Sequence, residues 1–294
     1  MIYKNIEIKN FRGIKNLKID DLARINIFIG KNNSCKSSIL EAIFQLTGIN
    51  NPNISLNINL IRNLLQTEED DFRFIFYNLD YKNTIEILAD LYENEESRSI
   101  KISPLKKMGN KKIKTPQNFN NTEFTSEDND GVNFNGVEII GSIKEKFKPN
   151  KVIKSSIQLA ITSKGEASFE STNEPNFRSD FSAVFLNSLD TRFNDLYSRI
   201  ETLIVEKKKD EIIKCLQIID KKIKNIELGK NNMIHLDIGI SRLIPINMQG
   251  DGIIKLAKIV SNIHRAKNGI LLIDEIDNGL HFSTLKEIWV LLIT

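Results

Sequence analysis

The sequence predicts an α/β fold: a P-loop core in a mixed central sheet, an antiparallel lobe built from the N-terminal strands, and a short helical insert. Three observations predict it. Residues 25–47 run from an apolar stretch, INIFIG, through GKNNSCKSS into a helical pattern, and strand, glycine-containing loop and helix is the frame a phosphate-binding loop requires. Residues 270–275, ILLIDE, are four apolar strand residues followed by two carboxylates. Between these ends lie short alternating runs and two helical stretches, the mixture expected of strands interleaved with helices.

In chain order, IEIKNF and NLKID alternate as half-buried strands, and INIFIG reads as a buried strand ending at Gly30. The helix SSILEAIFQLTG places Ile39, Leu40, Ile43, Phe44 and Leu46 on its apolar side, with Gly48 as the stop signal. Residues 60–103 read as a short helix followed by strands, TIEILADLY being the clearest, which completes an N-terminal lobe over 1–105. Residues 106–135 are rich in Lys, Asn and acidic residues without sustained apolar periodicity, so a mobile loop is expected there. Strands resume over 136–187 at VEIIGSI, SIQLAIT and SAVFLNS. A helical insert over 188–228 follows, made of DTRFNDLYSRIETLIVEKK and KDEIIKCLQIIDKKIKNIEL. Its second helix carries Ile212, Ile213, Leu216, Ile219 and Ile223 at helical spacing, and Cys215 beside that stripe reads as a small core residue. The lobe 229–294 holds strands and a turn, a helix from about Asp251, the strand GILLIDEID and a last helix, STLKEIWVLLIT. No 20- to 50-residue repeat is present.

Composition bounds the class. A chain of 294 residues buries a sizeable core, and 40% hydrophobic with 27% charged residues is a globular composition. A formal net charge of +3 does not by itself argue for nucleic acid. Cys35 and Cys215 form neither a disulfide framework nor a metal spacing, which leads to the expectation of a reducing cytoplasm. The opening MIYKNIEIKNFRGI carries charge throughout and has no signal-peptide core. No run approaches the ~18 apolar residues of a membrane span, so no membrane partner is expected.

GKNNSCKSS fits the pattern G-x-x-x-x-G-K-[ST] except that Cys35 replaces the second glycine. Gly30, Lys31, Asn32, Asn33, Ser34, Cys35, Lys36, Ser37 and Ser38 are the expected nucleotide contacts. Backbone N–H groups there wrap a β-phosphate at a helix N-terminus, where the dipole adds attraction for anions. Lys36 reaches the β- and γ-phosphates, and the Ser37 hydroxyl ligates Mg²⁺. In ILLIDE, Asp274 supports the metal and Glu275 orients and deprotonates the attacking water. A nucleotide and Mg²⁺ are the expected ligands, and the resemblance described next implies that the nucleotide is ATP. At Cys35 a positive φ costs ~1–2 kcal/mol for a non-glycine residue, whereas a negative φ costs little. Either way weakened rather than abolished binding is expected, and tolerated substitution is a plainer account than redox regulation.

The stretches IEIKNFRGIKNLKI, INIFIGKNNSCKSSILEAI, MQGDGIIKLAKIV and ILLIDEIDNGLH together resemble the ATP-binding-cassette-type ATPases of the SMC, RecF and OLD group, and within it the prokaryotic OLD-like AAA ATPases associated with phage defence and abortive infection. The likeness covers about 1–50 and 240–290. It implies an ATPase head that dimerises around two ATP molecules, each held by one chain's Walker A and the other's signature motif. Gln249, Gly250, Asp251 and Gly252 occupy the signature position, and Asn278 and His281 lie in a D-loop-like stretch, His281 at the expected dimer interface. Arg12 sits where relatives carry a basic residue near the nucleotide. The Q-loop glutamine is not assigned, Gln66 being only one choice. His235 and His264 are read as structural or surface residues.

Two absences shape the expectation. The insert has no sustained heptads, which excludes the long coiled-coil arm of SMC-type relatives, and the chain stops at Thr294 before the switch histidine those relatives carry and without a TOPRIM-like nuclease segment. The resemblance therefore implies a truncated head with impaired turnover, or one completed by further sequence, whose ATP cycle gates an effector such as a nuclease. The alternatives are a RecF-like repair ATPase whose partner is nucleic acid, and a nucleotide-dependent scaffold that scarcely turns over.

Overall fold

The computed structural model describes residues 2–49, 51, 54, 58–59, 62, 64, 71–80, 82–92, 96–105, 135–145, 152–161, 167–174, 181–187 and 194–293. The chain divides into two compact units, Met1–Phe181 and Ser182–Thr294.

The first unit is an antiparallel sheet with one long helix against it. Its strands are β1 (Ile6–Phe11), β2 (Ile14–Ile19), β3 (Ile85–Asp90), β4 (Glu96–Pro104), β5 (Asn135–Glu145), β6 (Val152–Ile161) and β7 (Ala167–Asn173), in the order β2-β1-β3-β4-β5-β6-β7. The alternation read in IEIKNF is real: Ile6 and Ile8 are buried, while Glu7 and Lys9 on the other face pair with each other at 2.8 Å. β3 repeats the pattern with Ile85, Ile87 and Ala89 inward. Helix α1 (Lys36–Thr47) packs on β1, β3 and β4. It buries Ile39, Ala42, Ile43 and Leu46, and its end is tied down where the Thr47 hydroxyl donates to the Ile43 carbonyl. Tyr3 is buried there, and its hydroxyl lies 3.1 Å from Thr47 Oγ1.

The second unit has a three-stranded antiparallel sheet, a parallel strand pair and four helices among the described residues. The elements are β8 (Ala183–Leu186), α2 (Asn194–Val205), α3 (Lys209–Leu216), β9 (Asn225–Leu228), β10 (Ile234–Asp237), β11 (Ile244–Pro245), α4 (Asp251–Ile263), β12 (Ile270–Ile273) and α5 (Phe282–Ile293). The sheet order is β11-β10-β9, and β12 pairs in parallel with β8. Leu196, Ile200 and Leu203 from α2, Ile212 and Leu216 from α3, and Ile253, Leu256, Ala257 and Val260 from α4 meet in one core with Ile226, Leu236 and Ile288.

The fold departs from expectation in four places. One mixed sheet is expected, but the large sheet is wholly antiparallel, and the parallel pair β8–β12 forms a sheet of its own in the second unit. INIFIG is not a strand: Ile25, Ile27 and Ile29 are 37%, 57% and 90% exposed. An apolar run records aversion to water, but a strand also needs a ladder partner, and the first unit's sheet is assembled without this segment. The second insert helix ends at Leu216 rather than continuing to 228. The chain turns there through Ile219 and Asp220 N–H bonds to the Leu216 carbonyl, then enters β9. Ile223 and Ile226 reach the same core from a turn and a strand, which imitates helical spacing in the sequence. Strand β7, ASFESTN, has no apolar signal and is found only through its pairing with β6. The loop expected at 106–135 lies outside the described residues apart from Asn135 in β5, as does Gln66. No helix among the described residues is long and apolar enough to cross a membrane.

Candidate functional site

In the first unit, the residues expected to hold phosphate form a tight exposed turn opening into α1. Asn33 and Cys35 both take the left-handed conformation, with φ of 61° and 63°. Asparagine tolerates that region. Cysteine does not, so the strained alternative holds: Cys35, at φ 63° and ψ 16°, stands where the usual glycine supplies positive φ at no steric cost. Its sulfur is packed against the β1–β2 turn, where a Cβ on Gly13 would come within 2.7 Å of Cys35 Sγ.

Two observations bear on whether an anion fits this loop. No side chain caps the N-terminus of α1, and no acidic residue occupies its first turn. The first amides and the positive end of the helix dipole are therefore not claimed by a carboxylate. The Lys36 ammonium folds back onto the loop, donating to the Gly30 carbonyl at 2.9 Å and the Lys31 carbonyl at 2.8 Å. The lysine thus closes the loop upon itself. Ser37 and Ser38 lie in the first turn of α1, Ser37 half-buried and Ser38 buried.

The described partners of the Arg12 side chain lie outside the 30–38 loop. Its Nε donates to Glu41 Oε2 at 2.5 Å, and its terminal nitrogens donate to the Phe74 and Ile58 carbonyls and to Asn59 Oδ1, each at 3.2 Å. Glu41 Oε1 accepts from Arg62 Nε at 2.6 Å. Burial pushes the Arg12 guanidinium below its ordinary range, with Glu41 opposing and Arg62 reinforcing that shift. Glu41, 1% exposed, is therefore a hub that joins α1 to the β1–β2 turn. Sequence reasoning passed over it because no signal marked it: at helical spacing Glu41 shares one polar stripe with Ser37, Ser38 and Gln45, which reads as a solvated face.

In the second unit the residues expected at the signature position meet those of the expected D-loop-like stretch. Gly250, with open space around it, precedes α4, and Asp251 is the helix's first residue. A Cβ on Gly252 would lie 2.8 Å from the Gly279 carbonyl, and Gly279 itself, at φ 74°, packs on Asp251. QGDG and NGLH, separated in sequence, are thus in contact. Gln249 is half-buried and His281 exposed, and the His281 carbonyl accepts from the Thr284 hydroxyl as α5 begins. His235 lies in β10 opposite Glu227, and His264 ends α4 with Nε2 3.6 Å from Glu211. Cys215 is half-buried against the unit's core, and burial raises its thiol pKa.

The acidic strand end has the expected frame. The Asp274 N–H donates to the Leu186 carbonyl at 2.9 Å, carrying the β8–β12 pairing one residue past the strand. Glu275 then breaks away at φ 50°, and the Asn278 N–H closes a turn on the Glu275 carbonyl at 3.0 Å. Asn278 Nδ2 lies 3.4 Å from Glu275 Oε2. A residue missed in the sequence completes this turn. Lys255, on α4, donates from Nζ to the Glu275 carbonyl and, at 2.7 Å, to the Asn278 carbonyl. Desolvation lowers its pKa, while Asp277, Glu275 and Asp274 pull the other way.

A helix opened by a lysine–serine loop, and a strand that ends in an acidic turn, are two of the features of a phosphate-loop domain, while the strand expected ahead of the loop is not formed. The sequence profile of the AAA_21 family, described as "AAA domain, putative AbiEii toxin, Type IV TA system", matches residues 25–292, and the chain belongs to that family. It is similar to an ATP/GTP phosphatase of Helicobacter pylori, 27% identical over 296 aligned residues that cover 96% of this chain and 78% of the relative. An uncharacterized protein of Methanocaldococcus jannaschii, MJECL10, is 43% identical over 84 residues, covering 29% of this chain and 38% of that protein. The DNA replication and repair protein RecF of Lactococcus lactis subsp. cremoris is 44% identical over 62 residues, or 21% of this chain and 17% of that protein.

Proposed function

We propose that this chain binds ATP with Mg²⁺ and hydrolyses it, dimerising around the nucleotide to gate an effector, in defence against phage. The observation that carries the reading is the uncapped N-terminus of α1 beside a lysine whose only described acceptors are the loop's own carbonyls. Lys36 gives up the Gly30 and Lys31 carbonyls for the β- and γ-phosphates, and the first amides of α1 donate to the same group. Mg²⁺ needs few protein oxygens, and Ser37 and Asp274 supply donors of that kind; when bound it neutralises charge on the transferred phosphoryl group. Glu275 takes a proton from water as the water oxygen bonds to the γ-phosphorus. The bond to the bridging oxygen breaks, and ADP leaves with that electron pair. Family membership and the phosphatase relative support hydrolysis; the defence role rests on the resemblance of the motifs.

The test is calorimetry and phosphate release on the full chain. Lys36→Ala should lower ATP affinity by about 100-fold or more, because the phosphates lose their main cation. Glu275→Gln should keep binding and reduce phosphate release to background. Equal ATP affinity in wild type and Lys36→Ala overturns the assignment. The RecF relative favours a second reading, an ATPase that clamps nucleic acid. ATP-dependent retention of duplex DNA that weakens with salt would support it over effector gating.

A further inference from the structure

We propose that Lys255 is a positioning residue for hydrolysis: its ammonium fastens the Glu275–Asn278 turn to α4 and so fixes where the Glu275 carboxylate points. The inference rests on the ATPase reading above and adds a residue to it.

The argument starts from the turn itself. Glu275 has φ 50°, a conformation that a non-glycine residue keeps only where its surroundings over-determine it. One main-chain hydrogen bond between Glu275 and Asn278, with a long 3.4 Å side-chain contact beside it, is weak restraint for an exposed segment. Lys255 supplies the rest by bridging the carbonyls at both ends of the turn, Glu275 and Asn278. Both acceptors are main-chain oxygens, so the clamp holds the backbone and leaves the Glu275 side chain to its 3.4 Å contact with Asn278 and to a water. A neutral donor of similar reach does not replace it, because Asp274, Glu275 and Asp277 all attract this ammonium.

Position gives the clamp a second consequence. Lys255 lies one helical turn beyond Gly252, whose backbone packs beneath Gly279. The start of α4 and the turn bearing the candidate base are therefore joined at two places, by close packing at Gly252–Gly279 and by charge-assisted bonds at Lys255. A displacement of α4 at its signature end is carried directly to Glu275.

The test uses the full chain with Lys255→Gln, Lys255→Met and Lys255→Arg, each checked for folding by thermal unfolding. In nucleotide-free protein, hydrogen exchange over 274–280 should be about tenfold or more faster in Lys255→Gln than in wild type, with α4 amides unchanged. With ATP, kcat should fall about tenfold or more while the calorimetric Kd for ATP stays within about twofold, and Lys255→Arg should restore kcat to within about threefold. Wild-type kcat in a folded Lys255→Gln overturns the proposal. So does a parallel loss of ATP affinity, or an arginine variant no better than glutamine. Should the Gln and Met variants both fail to fold, Lys255 is a determinant of the fold and the proposal also falls. If wild type itself shows no ATP turnover, the ATPase reading fails separately, and the exchange measurement still decides whether the clamp exists.

Discussion

Replacing Glu41 with glutamine should destabilise the first unit far more than a one-atom change suggests. The carboxylate is 1% exposed and accepts from two arginines, Arg12 Nε at 2.5 Å and Arg62 Nε at 2.6 Å. Glutamine keeps one carbonyl oxygen but turns an NH₂ towards the other guanidinium, placing donor against donor. It also removes the only negative charge that pairs with Arg12 among the described residues, and the Arg12 side chain is 8% exposed. Stripping one partner from a buried ion pair costs about 3–5 kcal/mol, chiefly because the remaining charge is left unpaired. Three neutral acceptors stay near Arg12, the Phe74 and Ile58 carbonyls and Asn59 Oδ1, so the lower end of that range, about 3 kcal/mol, is expected. With urea m-values of about 1–3 kcal/mol/M, this moves the midpoint by at least about 1 M. Urea unfolding monitored by hydrogen exchange of peptides from α1 isolates the first unit. Arg62→Ala is the internal contrast, since a side chain 35% exposed should contribute about 1 kcal/mol or less. A Glu41→Gln midpoint within about 0.3 M of wild type, or an equal shift for Arg62→Ala, would refute the idea that Glu41 compensates a buried charge.

Two further predictions concern the loop and the sheet. Cys35→Gly relieves ~1–2 kcal/mol of left-handed strain, but it loses about 0.8 kcal/mol of thiol packing on Gly13 and gains ~0.4–1 kcal/mol of unfolded-state entropy. Thermal stability should therefore change by less than about 1 kcal/mol, while ATP binding, read by calorimetry, should be at least as tight as in wild type; weaker binding would show a contact made by the thiol. Tyr3 titrates at about 12 rather than 10.0 because burial disfavours its anion. The folded chain then keeps a proton that the unfolded chain loses above pH 10, so stability present below pH 10 is lost as pH rises towards 12, by about 2–3 kcal/mol. Tyr3→Phe should lose about 1 kcal/mol at neutral pH with the Thr47 bond and show a correspondingly smaller alkaline fall in Tm.

The legible parts of the fold were those set by local chemistry. Alternation announced β1 and β3 because one face of each is buried, and the start of α4 at Asp251 follows from the glycine that precedes it. What stayed hidden was decided by partners remote in sequence. INIFIG has the composition of a buried strand and lies exposed, and ASFESTN lacks that composition and is a strand because β6 pairs with it. The same division runs through the candidate site. Lys36, Ser37, Asp274 and Glu275 could be singled out as candidates because each belongs to a short contiguous motif. Glu41 and Lys255 were not, since what they do depends on groups 29 and 20 positions away, respectively.

The hidden pair explains how the readable residues are held. Arg12, Cys35 and Glu275 all take positive φ, at 50°, 63° and 50°, in a chain where asparagine fills many of the other such positions. Asparagine adopts that region without help, but arginine, cysteine and glutamate need an external restraint. Arg12 has it in Glu41, which fixes the β1–β2 turn against α1, and Glu275 has it in Lys255, which fixes the acidic turn against α4. Cys35 has no comparable polar partner among the described residues, and its restraints are the first helical bond of α1, from the Ile39 N–H to its carbonyl at 3.0 Å, and the packing of its sulfur on Gly13. Gly13 follows Arg12 directly, so the turn that Glu41 holds is also the surface on which Cys35 rests. Loosening the Arg12–Glu41 pair therefore reaches the 30–38 loop through one residue of backbone, so the buried ion pair that joins the β1–β2 turn to α1 also supports the loop proposed above to hold the nucleotide.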